Sequence, residues 1–428
     1  MLLSVLFVAA TFGLSQAADQ ALLAAGNVCE VHANGNGTDD SPAILAAVEK
    51  CGQDGTIVFS NTTYHVEQVL DTRGLKNCEI QLKGTLLFGT DFEYWLENSL
   101  PLPGYDENGY QNQSSAWFFG GDNITWNGYG YGTVDGNGQA WYDFIAGRNN
   151  YPGRPHGITI FATNSVISGV RFVQSQMWTM TIHSSKNLLM EDIYVASVSN
   201  NGNSTINTDG ADTLFSDNIH FDRWHVRNGD DSIALKANST NIKVTNSEFH
   251  NGVGIAIGSI GQYNGIFEIA ENFHAENNTY YNTLHALFIK TWAGESVGYP
   301  PNGGGGGLGY IRNFVVLNSV MHDCRGYPVA FSQCMTMSPE AGDCNTSTMK
   351  LSEITVSGLT GTMLSSAAWV ASLQCSAASP CSDIRLDLDL TMTNGTKADY
   401  YACSNAEEIE GFECDGPTCE LPSPDGTC

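Results

Sequence analysis

A chain of 428 residues with 45 Asp and Glu against 18 Lys and Arg, a formal charge of -27, is not built to hold nucleic acid or an anionic membrane, whose phosphates require a basic face. Its 42% apolar content supports a large core, while 46 glycines and few helix-length patterns exclude a helical protein. Beyond the leader no run approaches the roughly 20 apolar residues of a membrane span, so the mature chain is expected in solution, its acidic excess suited to solubility at low pH.

The N-terminal MLLSVLFVAATFGLSQAAD is an apolar run ending in the small-x-small site Ser15, Gln16, Ala17. It reads as a signal peptide over residues 1–17 despite lacking a basic n-region, and 18–428 reads as one domain without a linker. Nine N-x-Ser/Thr sequons, among them Asn61, Asn123, Asn238, Asn277 and Asn394, agree with secretion to the extracellular space. Twelve cysteines suit an oxidising compartment, and none of their spacings reads as a zinc site. Three lie early (Cys29, Cys51, Cys78) and nine from Cys324 onward, so full pairing requires at least one bridge between the two ends. Next, SPAILAAVEKC at 41–51 sets apolar residues at helical spacing behind a serine suited to capping, and predicts a short helix over the open end of a core.

From residue 123 a phrase recurs, each time opening on asparagine: NITWNGYGYG, NSVISGVRFVQS, NLLMEDIYVAS, NIHFDRWHVRN, NIKVTNSEFHN, NFHAENNTYYN and NFVVLNSVMHD. From Asn164 through Asn187, Asn218, Asn241 and Asn272 to Asn313 the intervals are 23, 31, 23, 31 and 41 residues. A base period with insertions is the mark of a solenoid whose coils share one core and carry loops along one edge. Each unit holds short alternating β-rich runs, and asparagine tolerates the left-handed corner a coil needs. The prediction is an all-β, right-handed parallel β-helix with an N-terminal capping helix and a cysteine-dense C-terminal cap after about residue 370. A β-propeller, with its period of about 40 to 50 throughout, does not fit the short intervals.

NGDDSIALK, 228–236, places Asp230 and Asp231 side by side at the mouth of a strand, a costly pairing unless a cation, hydrogen bonds or chemistry compensates. About one coil earlier lies NTDGADT, 207–213, so stacking brings Asp209 to the pair. Neighbours on a strand face opposite ways, and both aspartates reach one face only where the backbone bends, which Gly229 permits. Converging carboxylates suit glycoside hydrolysis, one acid protonated and another ionised; a calcium site or a corner without chemistry fits the same spacing.

With NTD at 207–209, GDD at 229–231, GIAIGSIG at 254–261 and IKT at 289–291, joined by GTVDGNGQAWYD and RPHGITIF, the chain resembles glycoside hydrolase family 28, the polygalacturonases and rhamnogalacturonases that cut pectin. The resemblance covers most of residues 25–330 and implies the pectin-lyase-like β-helix and inversion at the anomeric carbon. It implies Asp230 as proton donor, Asp209 and Asp231 as the pair that positions and deprotonates water, Lys290 as a ligand of the sugar beside the scissile bond, and Asn207 as the group orienting a carboxylate. No cofactor or metal is called for, and the partner is a pectic polysaccharide met by a monomer.

Two positions depart from the polygalacturonase pattern: Val253 stands in the histidine's place of GHG and Phe288 in the arginine's place of RIK, as in rhamnogalacturonases. Neither side chain can hold a sugar carboxylate, so either the sugar is less acidic or other residues, with His285 and His250 as candidates, hold its carboxylate. GSIGQY and IKTW resemble the exo-acting members, and YPPNGGGGGLGY, 299–310, is the largest insertion, a wall for one end of the cleft or a flexible spacer. Trp95, Trp117, Trp126, Trp141 and Trp178 are either sugar platforms or core. The expected activity is release of terminal galacturonate from polygalacturonate. The alternatives are rhamnogalacturonan hydrolysis or rhamnose release, and a catalytically silent pectin binder. A calcium-dependent lyase, which needs a basic residue beside a metal, has only Arg223 and Arg227 nearby.

Overall fold

A computed structural model describes residues 27–336, 343–364 and 369–418. The signal-peptide reading falls outside them. The chain winds into a parallel β-helix with three sheet faces. One face stacks Met180–His183, Ala211–Leu214, Asp231–Leu235, Gly254–Ile260, Leu287–Trp292 and Val329–Met335, each parallel to the next. A second stacks Lys186–Glu191 through Leu308–Leu317, and a third the three-residue strands from Arg171–Val173 to Thr279–Tyr281. Period-2 alternation turns Ile182, Leu214, Phe221, Ile233, Ile257, Ile289 and Phe331 into one continuous buried core.

The recurring asparagines are the corners. Asn123, Asn164, Asn187, Asn218, Asn241, Asn272 and Asn313 all have φ between 51° and 59°, a conformation asparagine tolerates best after glycine. Their amides then bond from coil to coil: Asn187 Nδ2 donates to Asn164 Oδ1 at 2.8 Å, Asn218 to Asn187 at 2.8 Å, Asn272 to Asn241 at 3.0 Å and Asn313 to Asn272 at 2.7 Å. Asp122 and Asp217 take the acceptor role for Asn164 and Asn241.

The capping helix spans Ser41–Cys51 and buries Ile44, Ala47 and Cys51 against the first coil. Its cap position is Asp40 rather than the serine: Ser41 is already helical, and its N–H is held by the Asp39 carboxylate at 2.9 Å. Two further short helices, Phe92–Asn98 and Gly138–Ile145, sit in loops and pack together through Phe92 and Phe144, stacked at 4.4 Å. The expected bridge between the ends is replaced, among the described residues, by four local disulfides: Cys29–Cys51, Cys334–Cys344, Cys375–Cys381 and Cys403–Cys414. Cys78 and Cys324 stay unpaired and buried. They belong to coils far apart along the solenoid, so among the described residues each is a core thiol and neither forms a long-range link.

Candidate active site

Stacking delivers the three acids to one point. Asp209 precedes the strand Ala211–Leu214 and Asp231 opens the next rung, with Ala211 opposite Ile233 in register. Carboxylate oxygens of Asp209, Asp230 and Asp231 lie within 4.8 Å of one another. Asp230 lies in the turn before the strand that Asp231 opens, so strand alternation does not separate the pair, and the register slips between Asp231 and Ile233 against the following rung. Gly229 contributes otherwise: a Cβ there would stand 2.0 Å from Thr205 Oγ1, so only glycine fits. Beneath the turn the buried amide of Asn228 donates to the carbonyls of Thr208, Asp230 and Asp231 at 3.0, 3.0 and 2.7 Å and fixes its shape.

Each acid has its own surroundings. Asp230 is the most open of the three. Its Oδ2 accepts the backbone N–H of Asn207 at 2.9 Å and its Oδ1 that of Asp231 at 3.0 Å. Burial, then the charge of Asp231, raises its pKa, against the pull of Lys290 and those two N–H groups. Asp209 is buried with an oxygen that has no hydrogen-bond partner, and burial followed by the charges of Asp230 and Asp212 pushes its pKa well above the ordinary range. Asp231 is the gripped one: Lys290 Nζ donates to its oxygens at 3.0 and 2.7 Å, and Lys236 Nζ stands 3.6 Å away. Carboxylates this close could chelate a cation, but these two ammonium groups already supply the counter-charge.

Asn207 orients Asp230 through its backbone N–H. Its left-handed φ of 58° suits asparagine, and its side-chain oxygen turns away to accept the Asn150 N–H at 2.8 Å. Sequence reasoning missed three buried groups behind the acids. Lys236 pairs with Asp212 at 3.2 Å and donates to the Gly258 carbonyl at 2.9 Å, its ammonium over the Trp178 ring. Burial, against the pull of Lys236, raises Asp212 to about 7. Arg154, from RPHGITIF, spends its guanidinium on the carbonyls of Gln176 and Ile206 and so anchors the segment leading to Asn207. The only earlier signal was the second aspartate of NTDGAD and the lysine closing SIALK.

The acids line a cleft of about 430 Å³ shared by Trp178, Val253, Gln262, Phe288, Lys290, Trp292, Pro301 and Met335. The glycine-rich insertion is part of its wall and not a spacer. Gly305 N–H donates to the Gln262 carbonyl at 2.7 Å and Gly306 N–H to that of Ala293 at 2.8 Å, while a Cβ on Gly305 would meet the Glu295 carbonyl at 2.1 Å. Gln262 reaches back to the carbonyls of Pro301 and Gly303, and Tyr299 donates to Asp106 at 2.5 Å. Two other loops join it through Gln111, bonded to Gln262 at 2.6 Å, and Asn150, bonded to Asn302 at 3.3 Å.

Residues 55–414 match the family described as Glycosyl hydrolases family 28. The chain belongs to that family. Alpha-L-rhamnosidase rgxB of Aspergillus niger is 47% identical over 405 residues, covering 94% of this chain and 92% of that one. An exopolygalacturonase of Cochliobolus carbonum is 35% identical over 390 residues, 89% of this chain and 84% of its own. Among solved structures, endo-xylogalacturonan hydrolase from Aspergillus tubingensis superposes with a TM-score of 0.72 at 26% identity, over 92% of this chain and all of that one.

Within this family 28 hydrolase, the two substituted positions have become one surface. Phe288, Tyr327 and Ala330 form a buried apolar cluster against which Val253 and Trp369 pack, and Tyr327 stacks on Trp369 at 5.5 Å. His285 does not replace the missing arginine: it is buried behind Phe288, its Nδ1 against the Tyr327 carbonyl at 2.5 Å. His250 lies on the third sheet face and does not line the cleft. Of the five tryptophans, Trp95, Trp117, Trp126 and Trp141 are core, and Trp178 alone forms cleft floor. Arg223 is engaged by Asp192, Glu191 and Asp222 and is not a cleft residue.

Proposed function

We propose that this chain is a secreted, exo-acting glycosidase that releases a terminal α-L-rhamnose from rhamnogalacturonan-type pectic chains with inversion. The observation that carries the sugar is the apolar pair Val253 and Phe288 in the cleft wall beside Lys290, backed from behind by Tyr327 and Ala330. A 6-deoxy sugar presents a methyl group where galacturonate presents a carboxylate. A methyl gains about 0.8 kcal/mol on burial against such a patch, and an unpaired carboxylate loses hydration there. The 47% identical relative, an alpha-L-rhamnosidase, supports the same reading.

In the proposed reaction Asp230 protonates the glycosidic oxygen as the bond to the anomeric carbon breaks. Asp231, whose carboxylate faces the Lys290 and Lys236 ammonium groups, takes a proton from water as the new C–O bond forms, while Asp209 stays protonated and helps to place that water. The proton gained by Asp231 returns to Asp230 across their short separation, which restores the enzyme. Closure of the cleft by the three loops supports action at chain ends, and the leader, sequons and disulfides support secretion.

The second reading, release of terminal galacturonate, is favoured by Lys290 and by the exopolygalacturonase relative. A silent pectin binder is disfavoured by the cost of keeping three acids in one partly buried cluster. Mass spectrometry of products from rhamnogalacturonan and oligogalacturonate substrates, beside Asp230→Asn, tests all three, with the product anomer read by NMR. Early rhamnose of inverted configuration is expected. Galacturonate monomer alone, or mutant-insensitive turnover, would sink the proposal.

A further inference from the structure

On the third sheet face, His225 and Glu248 are register partners on neighbouring rungs, and His250 follows Glu248 by two residues, so all three project from one side. The result is a compact donor set. His225 Nδ1 is 3.4 Å from Glu248 Oε2, His250 Nε2 is 3.6 Å from the same oxygen, and the three donor atoms lie within 4.8 Å of one another. None of them lines the catalytic cleft.

Ring packing explains where the imidazoles sit but not where their nitrogens point. His225 stacks on Tyr194 and His250 on Tyr281, with the two imidazole centroids 4.6 Å apart. His250 Nε2 is nonetheless shielded from water without a hydrogen bond, the Glu248 oxygen lying beyond that reach. A proton or a metal ion would satisfy it.

Tetrahedral zinc with bonds of about 2.0 to 2.2 Å has ligand-to-ligand edges near 3.4 Å, and two edges of this triangle already match. Two imidazoles and one carboxylate suit zinc, nickel or copper; magnesium and calcium take oxygen sets. We infer that His225, Glu248 and His250 form a site for a divalent transition ion, zinc foremost, with water completing its shell. The ion would clamp the two coils whose following turns carry Asp230 and Val253.

The test uses the full chain, stripped with chelator and titrated calorimetrically at neutral pH with zinc sulfate, magnesium chloride serving as control and the melting temperature followed in parallel. One zinc equivalent that raises the melting temperature is expected, with no response to magnesium. His250→Gln and Glu248→Gln, each checked for folding by its metal-free melt, weaken binding about tenfold or more. Cobalt gives the visible absorption of a four-coordinate ion in the wild type and not in His250→Gln. Absence of zinc binding, or binding that neither substitution changes, overturns the site.

Discussion

Lys290 and Asp231, on rungs two apart, are joined through both carboxylate oxygens, at 3.0 and 2.7 Å. The lysine expected to meet the sugar is therefore also the counter-ion of a proposed catalytic acid. Lys290→Met should lower kcat by about a hundredfold as well as raise KM. Lys290→Arg, which keeps a cation beside Asp231, should restore part of the lost kcat. A change in KM alone would confine Lys290 to binding.

Asp230→Asn keeps only one of the two backbone N–H contacts, because its amide nitrogen cannot accept the other, and it removes one charge from a repelling cluster. Activity should fall by about 10² to 10⁴, the usual worth of a general acid, with the melting temperature unchanged or higher. Near wild-type turnover in this variant contradicts the assignment.

The apolar patch predicts an asymmetry. Phe288→Ala should raise KM for rhamnosides a few-fold, by about 0.8 kcal/mol at most, the worth of the methyl contact it supplies. Val253→His should not improve oligogalacturonate cleavage, because Phe288 and Ala330 still offer no partner to a carboxylate. A large gain from the histidine alone would favour the galacturonate reading.

Stability should be greatest in acid. Burial raises Glu268 from an ordinary 4.5 to about 7, against hydrogen bonds from Gly261 N–H and Tyr105, and raises Asp212 to about 7 as well. A carboxyl that holds its proton more tightly folded than unfolded stabilises the fold below its unfolded pKa, and the gain is lost as pH rises through its folded one. Glu268 alone contributes on the order of 3 kcal/mol between roughly pH 4.5 and 7. Melting curves at pH 5 and pH 8 should show the loss, and Glu268→Gln should flatten it. A melting temperature that rises over that interval refutes the assignment.

Replacing residues 298–306 by a short linker opens the wall that Gln262 and Tyr299 brace. Internal cuts should then appear beside the end products, read as a fall in polymer viscosity before monomer accumulates. An unchanged product pattern would remove the loop from the control of cleavage mode.

Much of this architecture was legible because it repeats. One asparagine per coil marked each corner, since the left-handed backbone and the amide ladder both demand that side chain. The proximity of Asp209 to Asp231 followed from the coil spacing. What stayed hidden depends on contacts between distant loops. The wall role of the glycine run rests on partners at Gln262 and Ala293, and Asp212, Lys236 and Arg154 gain meaning only when three rungs are superposed. The contact from Asn207 to Asp230 runs through the backbone N–H, a detail that spacing does not carry, because it shows that a residue is near a carboxylate and not whether its backbone or its side chain reaches it.

The four disulfides close loops of 22, 10, 6 and 11 residues, and all belong to the two ends of the solenoid. Among the described residues nothing covalent ties one coil to another between Cys51 and Cys334. A thiol reductant should therefore fray the molecule from its termini inward, and the rungs bearing the acids, held on both sides by parallel ladders, should be the last to go.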